Sequence, residues 1–327
     1  MTTYTVLVTG GSGFVGTQLV AALLRAGHPV RATVRSAARE AELRAAVRRG
    51  DADDRALEVL VAELTAADGW TAAVAGCEEV HHVATPFPVA QPDDPDALIV
   101  AAREGTLRVL RAARDAGARR VVLTSSFAAV GYTPKPGAEY TEADWTDPET
   151  PGLAPYPRSK AIAERAAWDF MEREGGDTEL VVVNPTFILG PTLLTQVVSS
   201  LRLIEAMLDG KMPVVRRQRF GIVDVRDVAD LHIRAMAAPE ARGKRFLALA
   251  DGPTISFLRV AQILRARLGP LAARVPTEEA PGEEPPELII HNDRARQELG
   301  WRPRPAETTI VDTAESLRDL GLLEEHR

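Results

Sequence analysis

Thr9-Gly10-Gly11-Ser12-Gly13-Phe14-Val15-Gly16 follows an apolar run at residues 4–8 and opens a helix-like stretch at 14–25. A strand that turns sharply into a helix needs glycines there, because a Cβ would block both the turn and the close approach of backbone to a pyrophosphate. The helix start then offers unpaired N–H groups and a partial positive charge to phosphates. Gly27 ends the helix, and residues 28–35 read as the next strand. Strand, turn, helix and second strand in this order predict a dinucleotide-binding unit, with Gly10, Gly13, Phe14, Val15 and Gly16 against the cofactor. A glycine-rich turn alone would also serve as a plain connector.

The alternation continues along the chain. Strand-like runs at 5–8, 30–34, 57–64, 80–84, 120–124 and 180–184 are separated by helical segments, notably 96–115, closed by Gly117, and 157–173, closed by Gly175-Gly176. This predicts an α/β fold built on a doubly wound parallel sheet. Residues 39–54, charged and alanine-rich, read as a solvated helix and turn. Beyond Pro191 the pattern weakens: 193–208 and 255–268 look helical, 220–225 and 245–249 look like strands, and the proline- and glutamate-rich 276–286 reads as an exposed loop. Residues 1–191 are accordingly assigned to a dinucleotide-binding Rossmann core to which 220–250 return. Residues 192–219 and 251–327 are assigned to a smaller substrate-binding region over the carboxyl ends of the strands.

Composition narrows the function classes. At 327 residues, 45% hydrophobic and 26% charged, the chain matches globular usage and not disorder. A net charge of −7 offers no basic surface, so nucleic acid is not an expected partner. Cys77 is the only cysteine, which excludes an internal disulfide and fits a reducing compartment. No apolar run approaches the roughly 18 residues that span a bilayer, and the chain begins on a strand without a leader, so a cytoplasmic location away from membranes is expected. His81 and His82 are adjacent and project to opposite faces of a strand, with no carboxylate or cysteine at ligand spacing, so no metal is expected. No G-x-S-x-G elbow of a serine hydrolase occurs. Only four of the 39 basic residues are lysines, which makes each lysine informative.

One of them stands in Tyr156-Pro157-Arg158-Ser159-Lys160, which sets a phenol and an ammonium four positions apart at a helix start, on one face. A phenol titrates near ~10, and a neighbouring cation would pull that value toward neutrality, where proton transfer is effective. Lys160 would be that cation and would also hold the nicotinamide ribose; the plain alternative is a surface Tyr beside a solvated Lys. Upstream, Val121-Val122-Leu123-Thr124-Ser125-Ser126 is an apolar strand ending in hydroxyls at the edge where such folds place ligands. A serine there would hydrogen-bond a carbonyl oxygen as it gains charge. Ser126 is the first choice and Ser125 the second, although strand-terminal serines also serve as turn or cap residues.

Taken together, Thr9 to Gly16, His82-Val83-Ala84-Thr85-Pro86, Thr124-Ser125-Ser126, Tyr156 to Lys160 with Ala163-Glu164, Asn184-Pro185-Thr186, Val223-Asp224-Val225-Arg226-Asp227-Val228-Ala229 and Glu298-Leu299-Gly300-Trp301 resemble the extended short-chain dehydrogenase/reductases. The similarity points to the branch of dihydroflavonol 4-reductase, cinnamoyl-CoA reductase and related aldehyde and ketone reductases, and covers almost the whole chain. It implies catalytic Ser126, Tyr156 and Lys160, and a cofactor bordered by Val83, Ala84 and Thr85. It also implies Pro185, Thr186 and Ile188 near the nicotinamide carboxamide. Many relatives carry Asp-Leu after the third strand, where the acid meets the adenine amino group; here the pair is Glu63-Leu64, whose longer acid would displace that contact.

The end of the second strand carries Arg35 where an acid would select NAD. A guanidinium matches a 2′-phosphate with two charge-assisted hydrogen bonds, and Ser36 and Arg39 would assist. NADP(H) is therefore the expected cofactor, with NAD(H) the lesser alternative. The expected reaction is hydride transfer to a ketone or aldehyde carbonyl of a small apolar or aromatic substrate, with Tyr156 as proton donor. Two other readings stay open: an NAD-retaining nucleotide-sugar epimerase or dehydratase, and a non-catalytic NADP-binding sensor. Phe87, Phe127, Phe187 and Leu194 are candidates for an apolar substrate cleft, and the helices at 96–115 and 157–173 for a homodimer contact.

Overall fold

A computed structural model describes residues 4–86, 95–198 and 200–324. Its spine is a seven-stranded, all-parallel sheet formed by β1 (Val6–Thr9), β2 (Val30–Val34), β3 (Leu57–Val61), β4 (Glu79–His82), β5 (Arg120–Thr124), β7 (Glu179–Pro185) and β11 (Arg245–Ala248). The spatial order is β3-β2-β1-β4-β5-β7-β11. The chain thus winds outward from β1 to one edge, returns, and winds to the other. This reversal leaves a crevice outside the carboxyl ends of β1 and β4.

Both faces of the sheet are covered, which is why its strands read as continuous apolar runs. Side chains alternate across it. Leu7, Val121, Leu123, Leu180 and Val182 point into a core shared with α3 (Trp70–Val74), α4 (Pro95–Asp115) and α5 (Pro155–Glu174). Val6 and Val8 point the other way, beneath α1 (Phe14–Arg25) and α2 (Glu40–Arg49). Val122, Val181 and Val183 share that second face with α7 (Val225–Ala237). The segment read as a solvated helix is α2, and the reading needs correcting: Leu43, Ala46 and Val47 are buried, so one face belongs to the core.

The other part of the fold is made of smaller pieces. Two-residue strands β6 (Glu139–Tyr140) and β13 (Ile289–Ile290) pair with each other, as do β9 (Arg219–Phe220) and β12 (Ile255–Ser256). β8 (Phe187–Leu189) pairs with β10 (Ile222–Asp224). The helix expected over 193–208 is only α6 (Leu201–Leu208), and α8 (Phe257–Leu268) begins after β12. α6, α8 and α10 (Ala306–Asp319) bury Ile204, Met207, Leu264, Ile310 and Leu317 in a separate cluster beside the sheet. α9 (Asp293–Glu298) leads to Trp301, which is fully buried and donates its indole N–H to the Asp227 carbonyl at 2.9 Å. No helix among the described residues is long and apolar enough to cross a membrane.

Candidate active site

The turn between β1 and α1 packs directly on the loop after β4. Gly10 adopts φ +69°, and a Cβ on it would stand 2.8 Å from the Ala84 Cα. A Cβ on Gly16 would fall on the Gly10 carbonyl. The contact is pinned by Thr9, whose hydroxyl oxygen accepts from the Val83 and Ala84 amides at 3.1 Å each. With its lone pairs so used, Thr9 donates its one proton to His82 Nδ1 at 2.8 Å, which puts the imidazole proton on Nε2. Gly13 caps α1 without a side chain. The first amides of the helix, at Phe14, Val15 and Gly16, therefore face a concave, Cβ-free cradle that fits a pyrophosphate.

Around this cradle lie the residues expected at the cofactor. Arg35 is exposed at the end of β2 and forms no ion pair with a described residue, whereas Arg39 is held by Glu42 at 2.5 Å. Past β3, Glu63 is exposed and Leu64 buried; the Glu63 carbonyl accepts from the Trp70 indole at 3.0 Å. Val83 and Ala84 are half-buried and Thr85 is exposed. On the far side, Pro185 ends β7 buried, and half-buried Thr186 and Ile188 follow it, the Thr186 amide bonded to the Ala248 carbonyl at 3.0 Å.

The three expected catalytic side chains converge opposite. Ser126 leaves β5 and caps a short turn at Phe127–Ala129, its Oγ accepting the Ala128 amide at 3.1 Å. Tyr156 lies in the first turn of α5 and is joined to Ser126 by a side-chain hydrogen bond. Lys160, one helical turn on and only 7% exposed, donates from Nζ to Thr85 Oγ1 at 2.9 Å and stands 5.8 Å from the centre of the Tyr156 ring. Ser125 is occupied elsewhere, since its hydroxyl donates into the Glu164 carboxylate at 2.5 Å.

The electrostatics correct one expectation. Burial raises the Tyr156 pKa above its ordinary value, and the hydrogen bond from Ser126 only partly opposes this. Burial, and not the neighbouring ammonium, sets the direction of the Tyr156 shift; the Lys160 ammonium is turned to Thr85 at 2.9 Å and is itself destabilised by burial. Its pKa falls to about 8, with Glu164 acting in the opposite direction. Tyr156 is thus a protonated acid at neutral pH.

Behind the trio lies a buried network whose geometry is not visible in the sequence. Glu164 is 1% exposed, and its carboxylate accepts from Arg245 Nε at 2.6 Å, Ser125 Oγ at 2.5 Å, Asn184 Nδ2 at 2.7 Å and Trp168 Nε1 at 3.3 Å. Asn184 Nδ2 also donates to the Ser126 carbonyl at 3.2 Å. The Ala163-Glu164 and Asn184 signals stand in the sequence, but their partners lie far along the chain.

The cleft candidates divide. Phe187 is half-buried, its ring tilted against Phe220 with centroids 4.7 Å apart, and Phe220 meets Phe257 edge-on at 4.8 Å. Phe127 and Leu194 are buried and pack instead: the ring of Phe127 lies edge-on to Tyr140, and Leu194 is wholly inaccessible. Phe87 lies outside the described residues. Tyr132, 48% exposed and packed on Phe127, went unread.

A Rossmann sheet with a glycine cradle facing a Ser-Tyr-Lys set defines a dinucleotide-dependent enzyme of the short-chain type. The chain belongs to the NAD dependent epimerase/dehydratase family, which matches residues 6–248. A cinnamoyl-CoA reductase from Medicago truncatula is 33% identical over 325 residues, 96% of this chain and 95% of that protein. A ketoreductase, azaE, from Aspergillus niger is 32% identical, covering 95% of this chain and 97% of its own length. The crystal structure of Gre2 from Candida albicans in complex with NADPH is 26% identical and superposes with a TM-score of 0.84 over 97% of this chain and 99% of that one.

Proposed function

We propose that the protein is an NADPH-dependent reductase of ketone or aldehyde carbonyls in which Tyr156 is the proton donor. The observation that carries this reading is the Ser126–Tyr156 hydrogen bond beside Lys160, at the carboxyl edge of the sheet and across from the glycine cradle. The cradle and the helix start would hold the pyrophosphate, and Arg35, without an acidic partner among the described residues, would pair with a 2′-phosphate. When bound, the reduced nicotinamide supplies the hydride that forms the new C–H bond.

The chain's own residues do the rest. Ser126 and Tyr156 orient the carbonyl oxygen between two hydroxyls, and Tyr156 transfers its proton to that oxygen as the C=O π bond breaks. The product is an alcohol, and the phenolate left behind is stabilised by the Ser126 hydrogen bond and the Lys160 charge. The raised Tyr156 pKa suits this direction, since a donor must be protonated at the start. The half-buried Phe187, Phe220 and Phe257 would favour an apolar or aromatic substrate over a phosphorylated one. That also separates this reading from an epimerase acting on a nucleotide-sugar.

The test is NADPH oxidation across aromatic aldehydes, β-keto esters, cyclic ketones and flavonoid ketones, followed by Tyr156→Phe on the best substrate. Turnover in the variant is expected to drop about a thousandfold, with the NADPH dissociation constant unchanged within about threefold. Near-normal turnover would remove Tyr156 from the chemistry.

A further inference from the structure

We propose that Glu164 is a positioning residue for the catalytic set: from inside the protein its carboxylate ties down the ends of β5 and β7 and supplies the negative charge that faces Lys160. The inference rests on the Ser126-Tyr156-Lys160 reading and deepens it.

Two separate lines of geometry lead there. The first is mechanical. Ser125 and Asn184 sit where β5 and β7 end, and both donate to Glu164 Oε2, at 2.5 and 2.7 Å. Asn184 then reaches the carbonyl of Ser126 with the same amide. The carboxylate therefore fixes, through one intermediary each, the backbone that presents Ser126 to Tyr156 and the backbone that continues into Pro185 and Thr186. Arg245, brought by β11 and stacked 3.8 Å above the Trp145 ring, closes the network from the other side at Oε1. A buried carboxylate with four donors is held in one orientation, because any rotation would strand buried hydrogen-bonding groups.

The second line is electrostatic. Glu164 lies one turn beyond Lys160 on α5, and the two line a common small cavity of about 20 Å³ with Thr85, Thr124 and Ser125. The charged and titratable groups facing the ammonium are few. On its own helix they are Tyr156 and Glu164. From β4 comes His82, buried and kept neutral with a pKa of about 3. From β11 comes Arg245, which stands behind Glu164. Among the described residues Glu164 is therefore the one anion acting on Lys160, and it opposes the burial that lowers the lysine to about 8. An ammonium that is to stabilise the Tyr156 phenolate must stay charged at the pH of turnover.

Glu164→Gln keeps the shape and removes the charge. Its carbonyl oxygen can still accept from Ser125 and Asn184, but its NH2 then meets the donors Arg245 Nε and Trp168 Nε1, so the network loosens on that side. The experiment compares wild type, Tyr156→Phe, Glu164→Gln and Glu164→Asp in kcat/KM against pH from 6 to 10, in NADPH affinity by fluorescence titration, and in thermal unfolding. For Glu164→Gln the alkaline limb is expected to move about one unit down, with kcat/KM reduced about tenfold or more at pH 8 and partly recovered at pH 6. Its NADPH affinity should weaken with rising pH along the same shifted limb. Glu164→Asp, which keeps the charge with a shorter reach, is expected to lose turnover with its limb in place, and it remains informative if the glutamine variant does not fold. A limb that stays put in Glu164→Gln, or moves in Glu164→Asp, overturns the proposal. Failure of the underlying catalytic reading would show instead as full turnover in Tyr156→Phe.

Discussion

The sheet region and the C-terminal region of this molecule are held together differently. From Val6 to Pro185 each strand of the large sheet packs apolar side chains on both faces, and the buried charges are few, among them Glu79 and Arg120 at the amino ends of β4 and β5 and Lys160 and Glu164 beside the cleft. After Phe187 the described strands shorten to three residues or fewer, except β11, and ion pairs between separate elements become more numerous than in the sheet region, where Arg120–Glu179 is an example. Arg226 grips Asp224 through two nitrogens at 2.7 and 2.8 Å and reaches Asp312 at 2.5 Å; Asp227 accepts the Arg304 amide at 2.6 Å as well as its guanidinium. In the proposed reading the periodic half holds the cofactor, and the irregular half, made of short pieces, shapes the substrate side.

Three measurements would break or sharpen that contrast. The largest effect is expected from Gly16→Val in the rigid half, where no side chain fits against the Gly10 carbonyl. NADPH affinity should fall about a hundredfold or more, about 2.7 kcal/mol, by fluorescence titration. A fall of less than about threefold would mean that the turn yields and the rigidity argument fails.

Next in size is acid sensitivity of the sheet region. His81, His82 and His232 are buried around β4 and α7, and burial holds all three far below the ordinary imidazole value, His82 and His232 at about 3. The unfolded chain binds their protons near ~6.5; the native chain binds those of His82 and His232 only near 3, and that of His81 well below the ordinary value. Their contribution is complete above pH 6.5 and is lost as pH falls, by about 1.4 kcal/mol per pH unit for each histidine. Urea unfolding at pH 7.5 and pH 6 should show a drop of about 2 kcal/mol, and His232→Asn, if it folds, should reduce its slope. A flat pH dependence would place the stability of the molecule elsewhere.

The smallest effect belongs to the variable half. Phe220→Ala opens the Phe187–Phe220–Phe257 cluster and is expected to change KM for an aromatic ketone about three- to tenfold while leaving NADPH affinity within about twofold, since one aromatic contact is worth about 0.5–1.5 kcal/mol. Equal changes in both constants would mean that the two halves are not separable.

How far the sequence could be read follows the same division. β1, α1 and β2 were legible because strand, turn and helix are local signals, and Gly10 and Gly16 are required by contacts within a few residues or with the adjoining loop. α7 was missed because Val225–Ala237 runs straight off β10 with no glycine or proline between; Asp224 ends the strand and also caps the helix, accepting the Arg226 amide at 2.9 Å. That aspartate was the available signal. α10 was missed because its buried stripe includes Thr309 and Thr313, which read as polar surface until Thr313 is seen to donate to the Thr309 carbonyl and to accept from the Gly190 amide. In the site, Ser126, Tyr156 and Lys160 could be chosen from residue type and position. The Glu164 network could not, because its geometry is set by Ser125 just past β5, Asn184 in β7 and Arg245 in β11.

The placement of β11 carries a consequence for biosynthesis. By the time the ribosome has delivered Pro185, the growing chain holds the cradle and the whole Ser-Tyr-Lys trio, but not the guanidinium that neutralises Glu164. Until Arg245 emerges and its strand docks beside β7, that interior acid lacks the only guanidinium among its donors and is held by Ser125, Asn184 and Trp168 alone. Ribosome-bound intermediates stopped short of it should stay catalytically silent, and activity should switch on abruptly with the final quarter of translation.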